Sequence, residues 1–195
     1  MTTLPFKAVA VDVDGTFVND EKQYDHQMFS EILTRLHQHG AHFIIASGRP
    51  AGRLADDFSE FIDSIDFVAD NGAVLVRDGK IIRTTSFSKK CILNFIEYLH
   101  ARYPGAAQNI LISGVKHSYF LKSTPPEYKR SHHYFYPNSI EIDDFNKIPA
   151  DDQYTKITMD YPSKIRHELE HLSLIHIWRC RRRLRGGGGG GGGGG

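Results

Sequence analysis

The chain has 195 residues, 40% of them hydrophobic and 24% charged, with 24 basic and 23 acidic side chains. That length holds one good-sized domain, or one domain plus part of a second, at an ordinary globular composition. No stretch approaches the ~20 apolar residues of a membrane span. Met1 to Phe6 has neither a basic n-region nor an apolar h-region, and the two cysteines, Cys91 and Cys180, make no disulfide framework. The expectation is a cytoplasmic protein with no membrane partner.

Lys7 to Val11 is a short apolar run ending at Asp12, read as a strand buried on both faces, as in a parallel sheet. Asp25 to His39 reads as a helix with Met28, Ile32, Leu33 and Leu36 inward, stopped by Gly40. His42 to Ala46 is a second strand and ends at Ser47-Gly48-Arg49. A helix over Ala51 to Phe61 follows, then a third strand, Phe67 to Ala69, ending at Asp70-Asn71-Gly72. Strand, helix, strand, helix, strand implies right-handed crossovers in an α/β sheet.

The pattern then changes. Ala73 to Val76 and Lys80 to Arg83 flank a hairpin signal, Arg77-Asp78-Gly79. Ser88 to Tyr103 reads as an amphipathic helix with Ile92, Phe95, Ile96 and Leu99 inward and Cys91 as a core residue beside that face. Strands are expected at Asn109 to Ile112, Ser118 to Leu121 and Lys156 to Met159, and a helix at Ser163 to His171. Pro125-Pro126 marks a turn. His132 to Tyr136, an aromatic run, reads as a strand with alternating buried aromatics. Adjacent histidines on opposite faces of a strand could not share a metal. This part has α+β character, and a boundary falls near Arg83.

Ligands of open α/β sheets bind beyond the carboxyl ends of the strands, where three polar, glycine-containing loops coincide here. Asp12 and Asp14 are close enough to repel unless a cation intervenes. Magnesium takes oxygen ligands, commonly one or two carboxylates with phosphate and water. An ionised aspartate can attack phosphorus, and a second carboxyl can serve as acid and then base. Gly15 lets the backbone turn sharply. Ser47 and the Gly48 amide can meet a phosphoryl oxygen at a helix start. Alone, Asp12 and Asp14 also allow a turn-and-cap cluster, the lesser of the two readings, whereas Ser47-Gly48-Arg49 alone reads first as a simple N-cap.

Together, Asp12-Val13-Asp14-Gly15-Thr16 after one apolar strand and Ala46-Ser47-Gly48-Arg49 after the next resemble the first two motifs of the haloacid-dehalogenase superfamily. Asp70-Asn71-Gly72-Ala73, followed by the Asp78-Gly79-Lys80 hairpin, resembles its Cof-type branch of sugar-phosphate and related small-molecule phosphatases. The resemblance implies a Rossmann-like core with an inserted α+β cap. It makes Asp12 the nucleophile and a magnesium ligand. Asp14 becomes the acid/base and gives its backbone carbonyl to the metal. Ser47 and Gly48 bind the phosphoryl group, while Arg49 and Asn71 either contact substrate or support structure. The partner is then a small phosphorylated metabolite. A phosphomutase of the same superfamily and a non-enzymatic phospho-acceptor domain are the alternatives.

The family's third motif, a lysine, and its fourth, an acidic Gly-Asp-x-x-x-Asp loop, are not found before Leu172. Lys156 and Lys164 fall within the cap region, and Asp151-Asp152 reads as a solvated loop. The expected organisation is therefore the N-terminal part of the core over 1–83 and a partial cap over 84–171. Residues 172–195 form a tail of five arginines, no acid and a run of glycine. Leu172 to Arg182 resembles, codon by codon, a translated transposase-type sequencing adapter with TGA read as Trp178. The tail therefore reads as non-native and the chain as truncated within the cap. Without it the chain is acidic overall, so nucleic acid is not an expected partner. Oligomeric state is not legible.

Overall fold

The computed structural model describes residues 4–104 and 109–159. Among these, two sheets form. The first has five strands in the order β1-β2-β3-β4-β5: β1 (Ala8–Asp12), β2 (His42–Ala46), β3 (Asp66–Ala69), β4 (Val74–Arg77) and β5 (Lys80–Thr84). β1, β2 and β3 run parallel, joined through α1 (His26–Gln38) and α2 (Ala51–Asp57). The strand-helix-strand order expected from the sequence is observed, but β1, expected to be buried on both faces, is an edge strand among the described residues with Ala8, Ala10 and Asp12 exposed. β4 and β5 extend the sheet as an antiparallel hairpin. Asp78 and Gly79 both take positive φ, 49° and 68°, the two-residue turn whose twist matches the flanking strands.

Local chemistry sets the helix ends. Asp25 caps α1 by accepting from the Met28 N–H at 2.9 Å. At the other end Gly40, at φ 65°, donates to His37 while Ala41 donates to Leu36, a Schellman stop. The inward face of α1 differs from expectation. Phe29, Leu33 and Leu36 are buried, whereas Met28 and Ile32 are 59% and 42% exposed. Phe29 makes edge contacts with Phe17, Phe43 and Phe61, and this aromatic cluster rotates the helix by about one residue. The expected second helix is also shorter, ending at Asp57 before a 3-10 turn at Ser59–Phe61.

The second sheet is ordered β8-β7-β6-β9, from β6 (Ile110–Gly114), β7 (Ser118–Leu121), β8 (Ser139–Ile142) and β9 (Tyr154–Met159). α3 (Lys89–Arg102), capped by Ser88, buries Ile92, Ile96 and Leu99 against it. Cys91 is exposed, a correction to its reading as core: it lies one position off the Ile92–Ile96–Leu99 stripe. The aromatic run is also corrected. His132 and His133 end α4 (Pro126–His133), and Tyr134 to Tyr136 follow as a turn whose Phe135 and Tyr136 amides donate to the His132 carbonyl. Pro126 begins this helix rather than marking a turn, because its missing N–H costs nothing at the first helical position.

Asp152 is buried and not solvated. Its carboxylate accepts from the Lys116, His117 and Gln153 amides and from the Tyr119 hydroxyl, whereas Asp151 stays exposed. The expected helix over Ser163 to His171 and the tail lie outside the described residues. No described helix is long and apolar enough to cross a membrane.

Candidate active site

The parallel register aligns three strand ends. Asp12 pairs with Ala46, and Ala46 pairs with Val68, so the loops after β1, β2 and β3 emerge side by side. The last two are stitched together. The Ser47 amide donates to Val68, the Asp70 amide to the Arg49 carbonyl, and the Asn71 amide to the Ser47 carbonyl. Asn71 adopts φ 57°, a left-handed geometry that Asn tolerates. A Cβ at Gly48 would come within 2.7 Å of the Asn71 Oδ1, so glycine there allows the close approach of the two loops.

The loop after β1 turns at Gly15, φ 80°, and closes with Phe17 and Val18 amides donating back to Asp12 and Val13. Asp12 is left exposed at the strand end. Asp14 is heavily engaged. Lys22 Nζ donates to its Oδ1 at 2.6 Å, and Arg49 adds a fork, Nη2 to Oδ1 at 2.6 Å and Nε to Oδ2 at 3.2 Å. Partial burial pushes the Asp14 carboxyl up, but the hydrogen bonds and charges of Arg49 and Lys22 outweigh it and hold the group below the usual carboxylate value. Arg49 itself is 4% exposed and also donates to Asp57 at 2.5 Å. Its backbone N–H donates to the Ser47 Oγ at 3.2 Å.

The second sheet reaches this place. Tyr134 and Phe135 each lie 5.8 Å from the Arg49 guanidinium, and Tyr134 lies 4.2 Å from that of Arg53. Lys156, from β9, donates to the Gly48 carbonyl at 2.8 Å and lies 3.2 Å from the Asp70 Oδ1. Burial pushes the Asp70 carboxyl up against the opposing charge of Lys156. Burial also works against the Lys156 charge, but Tyr136 and Asp70 more than restore it.

The residues expected to act together, Asp12, Asp14, Ser47, Gly48, Arg49 and Asn71, thus fall in one set of adjoining loops. Arg49 binds the carboxylate of Asp14, and Asn71 lies against Gly48. Sequence reasoning missed Lys22, Asp70, Lys156 and the Tyr134–Phe135 turn. Its one signal for Lys156 was a lone cation within the otherwise uncharged strand Tyr154–Met159.

The family profile described as haloacid dehalogenase-like hydrolase matches residues 9–175. The chain belongs to the haloacid dehalogenase-like hydrolases. An Escherichia coli (strain K12) protein, 5-amino-6-(5-phospho-D-ribitylamino)uracil phosphatase YbjI, is 30% identical over 145 residues, covering 74% of this chain and 52% of the relative. The crystal structure of SMU.1108c from Streptococcus mutans UA159 superposes with a TM-score of 0.77 at 25% identity, over 87% of this chain and 63% of that one. The subclass IIB sugar phosphatase BT4131 shares the fold, with a TM-score of 0.62 at 19% identity, over 84% of this chain and 62% of that one. This haloacid dehalogenase-like chain therefore spans about half the length of the E. coli relative.

Proposed function

We propose that the chain is the N-terminal portion of a magnesium-dependent phosphatase that hydrolyses small phosphate monoesters through an aspartyl-phosphate. The observation that carries this reading is the register of Asp12 with Ala46, which sets Asp12 beside the residue that leads into the Ser47-Gly48 loop. The relatives' names support the substrate class. YbjI is named for a phosphorylated ribitylaminouracil and BT4131 for sugar phosphates; both are phosphate esters of small polyhydroxylated molecules.

In this mechanism an Asp12 carboxylate oxygen attacks phosphorus, and the bond from phosphorus to the leaving alkoxide breaks. Asp14 gives that alkoxide a proton, then takes one from the water that hydrolyses the acyl-phosphate. Ser47 and the Gly48 amide hold the phosphoryl oxygens. Arg49 and Lys22 favour the ionised form of Asp14, so loosening the fork on substrate binding would favour its role as the acid. Magnesium would neutralise phosphate charge and draw the phosphate toward Asp12. Asp12 fits such a ligand role, being an exposed carboxylate at the strand end, together with the Asp14 carbonyl. Among the described residues no group of three or more His, Cys, Asp or Glu could hold a metal. These two residues would supply only part of a coordination shell, with phosphate and water as further oxygen ligands.

We read residues 1–83 as core and 84–171 as a partial cap, with the tail as non-native sequence. The edge position of β1 supports truncation. Among the described residues β1 pairs only with β2, and Ala8, Ala10 and Asp12 are exposed along it, although an apolar parallel strand belongs inside a sheet. The test is hydrolysis of p-nitrophenyl phosphate by the gene product read through beyond the codon for His171. Turnover should require magnesium and vanish in Asp12→Asn. Turnover that survives in Asp12→Asn or ignores magnesium overturns the reading.

A further inference from the structure

Lys156 belongs to the second sheet, 108 residues away in sequence from the loop it touches. Its side chain is 11% exposed, and it leaves solvent only to meet three groups: the Gly48 carbonyl, the Asp70 carboxylate and the face of Tyr136, 5.5 Å from the ring centroid. Burying an ammonium is unfavourable unless it is paired and hydrogen-bonded. The Gly48 carbonyl supplies the aligned bond. Asp70 supplies the opposite charge, with its Oδ1 3.2 Å from the ammonium.

The carbonyl that Lys156 holds belongs to the Gly48–Arg49 peptide. A peptide is planar, so fixing its C=O also fixes the N–H on the other side. That N–H is the Arg49 amide, which donates to the Ser47 Oγ at 3.2 Å. A hydroxyl that accepts this bond keeps its own proton for another partner. On the far side of the loop, the Asp70 amide donates to the Arg49 carbonyl, and the Ala51 amide hydrogen-bonds the buried Asp70 carboxylate.

We propose that Lys156 is a positioning residue for the phosphoryl-binding loop: by holding the Gly48 carbonyl it orients the Gly48–Arg49 peptide, which in turn leaves the Ser47 hydroxyl as a donor. The second sheet, through this one ammonium, thereby presets the first. The functional meaning rests on the phosphatase reading above, whereas the structural relay does not.

The test is hydrogen exchange in the full-length gene product without substrate, so it is independent of turnover. In Lys156→Met the amides of Arg49, Asp70 and Asn71 should exchange about tenfold faster, the loss of one charge-assisted bond, while Ile44 and Ile45 in β2 keep their wild-type rates. Lys156→Arg should restore protection. The double variant Lys156→Met/Asp70→Asn removes the unpaired buried carboxylate; it should fold as stably as wild type and still show the fast Arg49 amide. Weaker binding of inorganic phosphate in both Met variants, recovered in Lys156→Arg, extends the relay to the phosphoryl site. Unchanged exchange at Arg49, or equal acceleration across β2, overturns the proposal. So does recovery of protection in the double variant, which would make Lys156 only a counter-charge for Asp70.

Discussion

The Arg49 guanidinium forks the Asp14 carboxylate, Nη2 on Oδ1 at 2.6 Å and Nε on Oδ2 at 3.2 Å. Asp14 is thus kept as an anion below its ordinary value of 3.8. A carboxyl depressed in the folded state contributes stability above its unfolded value, and that contribution is lost as pH falls through the folded one. In Arg49→Met burial is left opposed only by Lys22, so the Asp14 midpoint rises. Carbon-13 titration of the Asp14 carboxyl in wild type and variant measures this. An unshifted midpoint would show that the fork does not set the ionisation of Asp14.

Gly114 and Asp152 make a second close pair. A Cβ at Gly114 would overlap the Asp152 carboxylate and come within 2.9 Å of the His117 carbonyl. Gly114→Ala should cost about 2 kcal/mol by overpacking. Asp152→Ala should cost about 3 kcal/mol by stranding the Lys116, His117, Gln153 and Tyr119 donors. Residues in contact couple, so Gly114→Ala should cost less in the Asp152→Ala background. Urea unfolding of the four proteins gives the coupling, and strict additivity would deny the contact.

What was legible in the sequence was local or periodic. The apolar runs ending at Asp12 and Ala46 gave β1 and β2, and Gly40 and Asp78-Gly79 gave a helix stop and a turn. The loops carrying Asp12, Asp14, Ser47 and Asn71 could be placed together because parallel strands bring their carboxyl ends to one edge. The misses depended on distant partners. Phe29 outcompeted Met28 and Ile32 for the core because it joins rings from three other segments. Asp152 is buried because the loop between β6 and β7, Tyr119 in β7 and the Gln153 amide aim donors at it. Lys156 reaches Gly48 only through the placement of one sheet against the other, which no local pattern encodes.

Cys91 gives a simple check on the second unit. It is exposed beside the buried stripe of α3. In a Cys180→Ser background it should react completely with a thiol reagent under native conditions, at the rate of an accessible thiol. Reaction only after denaturant is added would return Cys91 to the core.

The 195-residue chain itself should turn over p-nitrophenyl phosphate negligibly. Each electrostatic stabiliser lost from a site typically costs ~10²–10³ in rate, and the lysine and third metal carboxylate expected by family resemblance are not supplied by residues 1–171. The exposed, apolar edge of β1 should also make the chain associate, visible as a concentration-dependent elution volume. A monodisperse monomer with steady magnesium-dependent activity would refute the truncation proposal.

Asp12 should form a covalent phosphoryl intermediate, which acid quenching of the full-length gene product during turnover would trap. The peptide containing Asp12 should carry an acid-stable, base-labile phosphoryl group by mass spectrometry. The group should be absent in Asp12→Asn. A phosphoryl group on Ser47 instead, or burst kinetics with a label that persists in Asp12→Asn, would contradict the account.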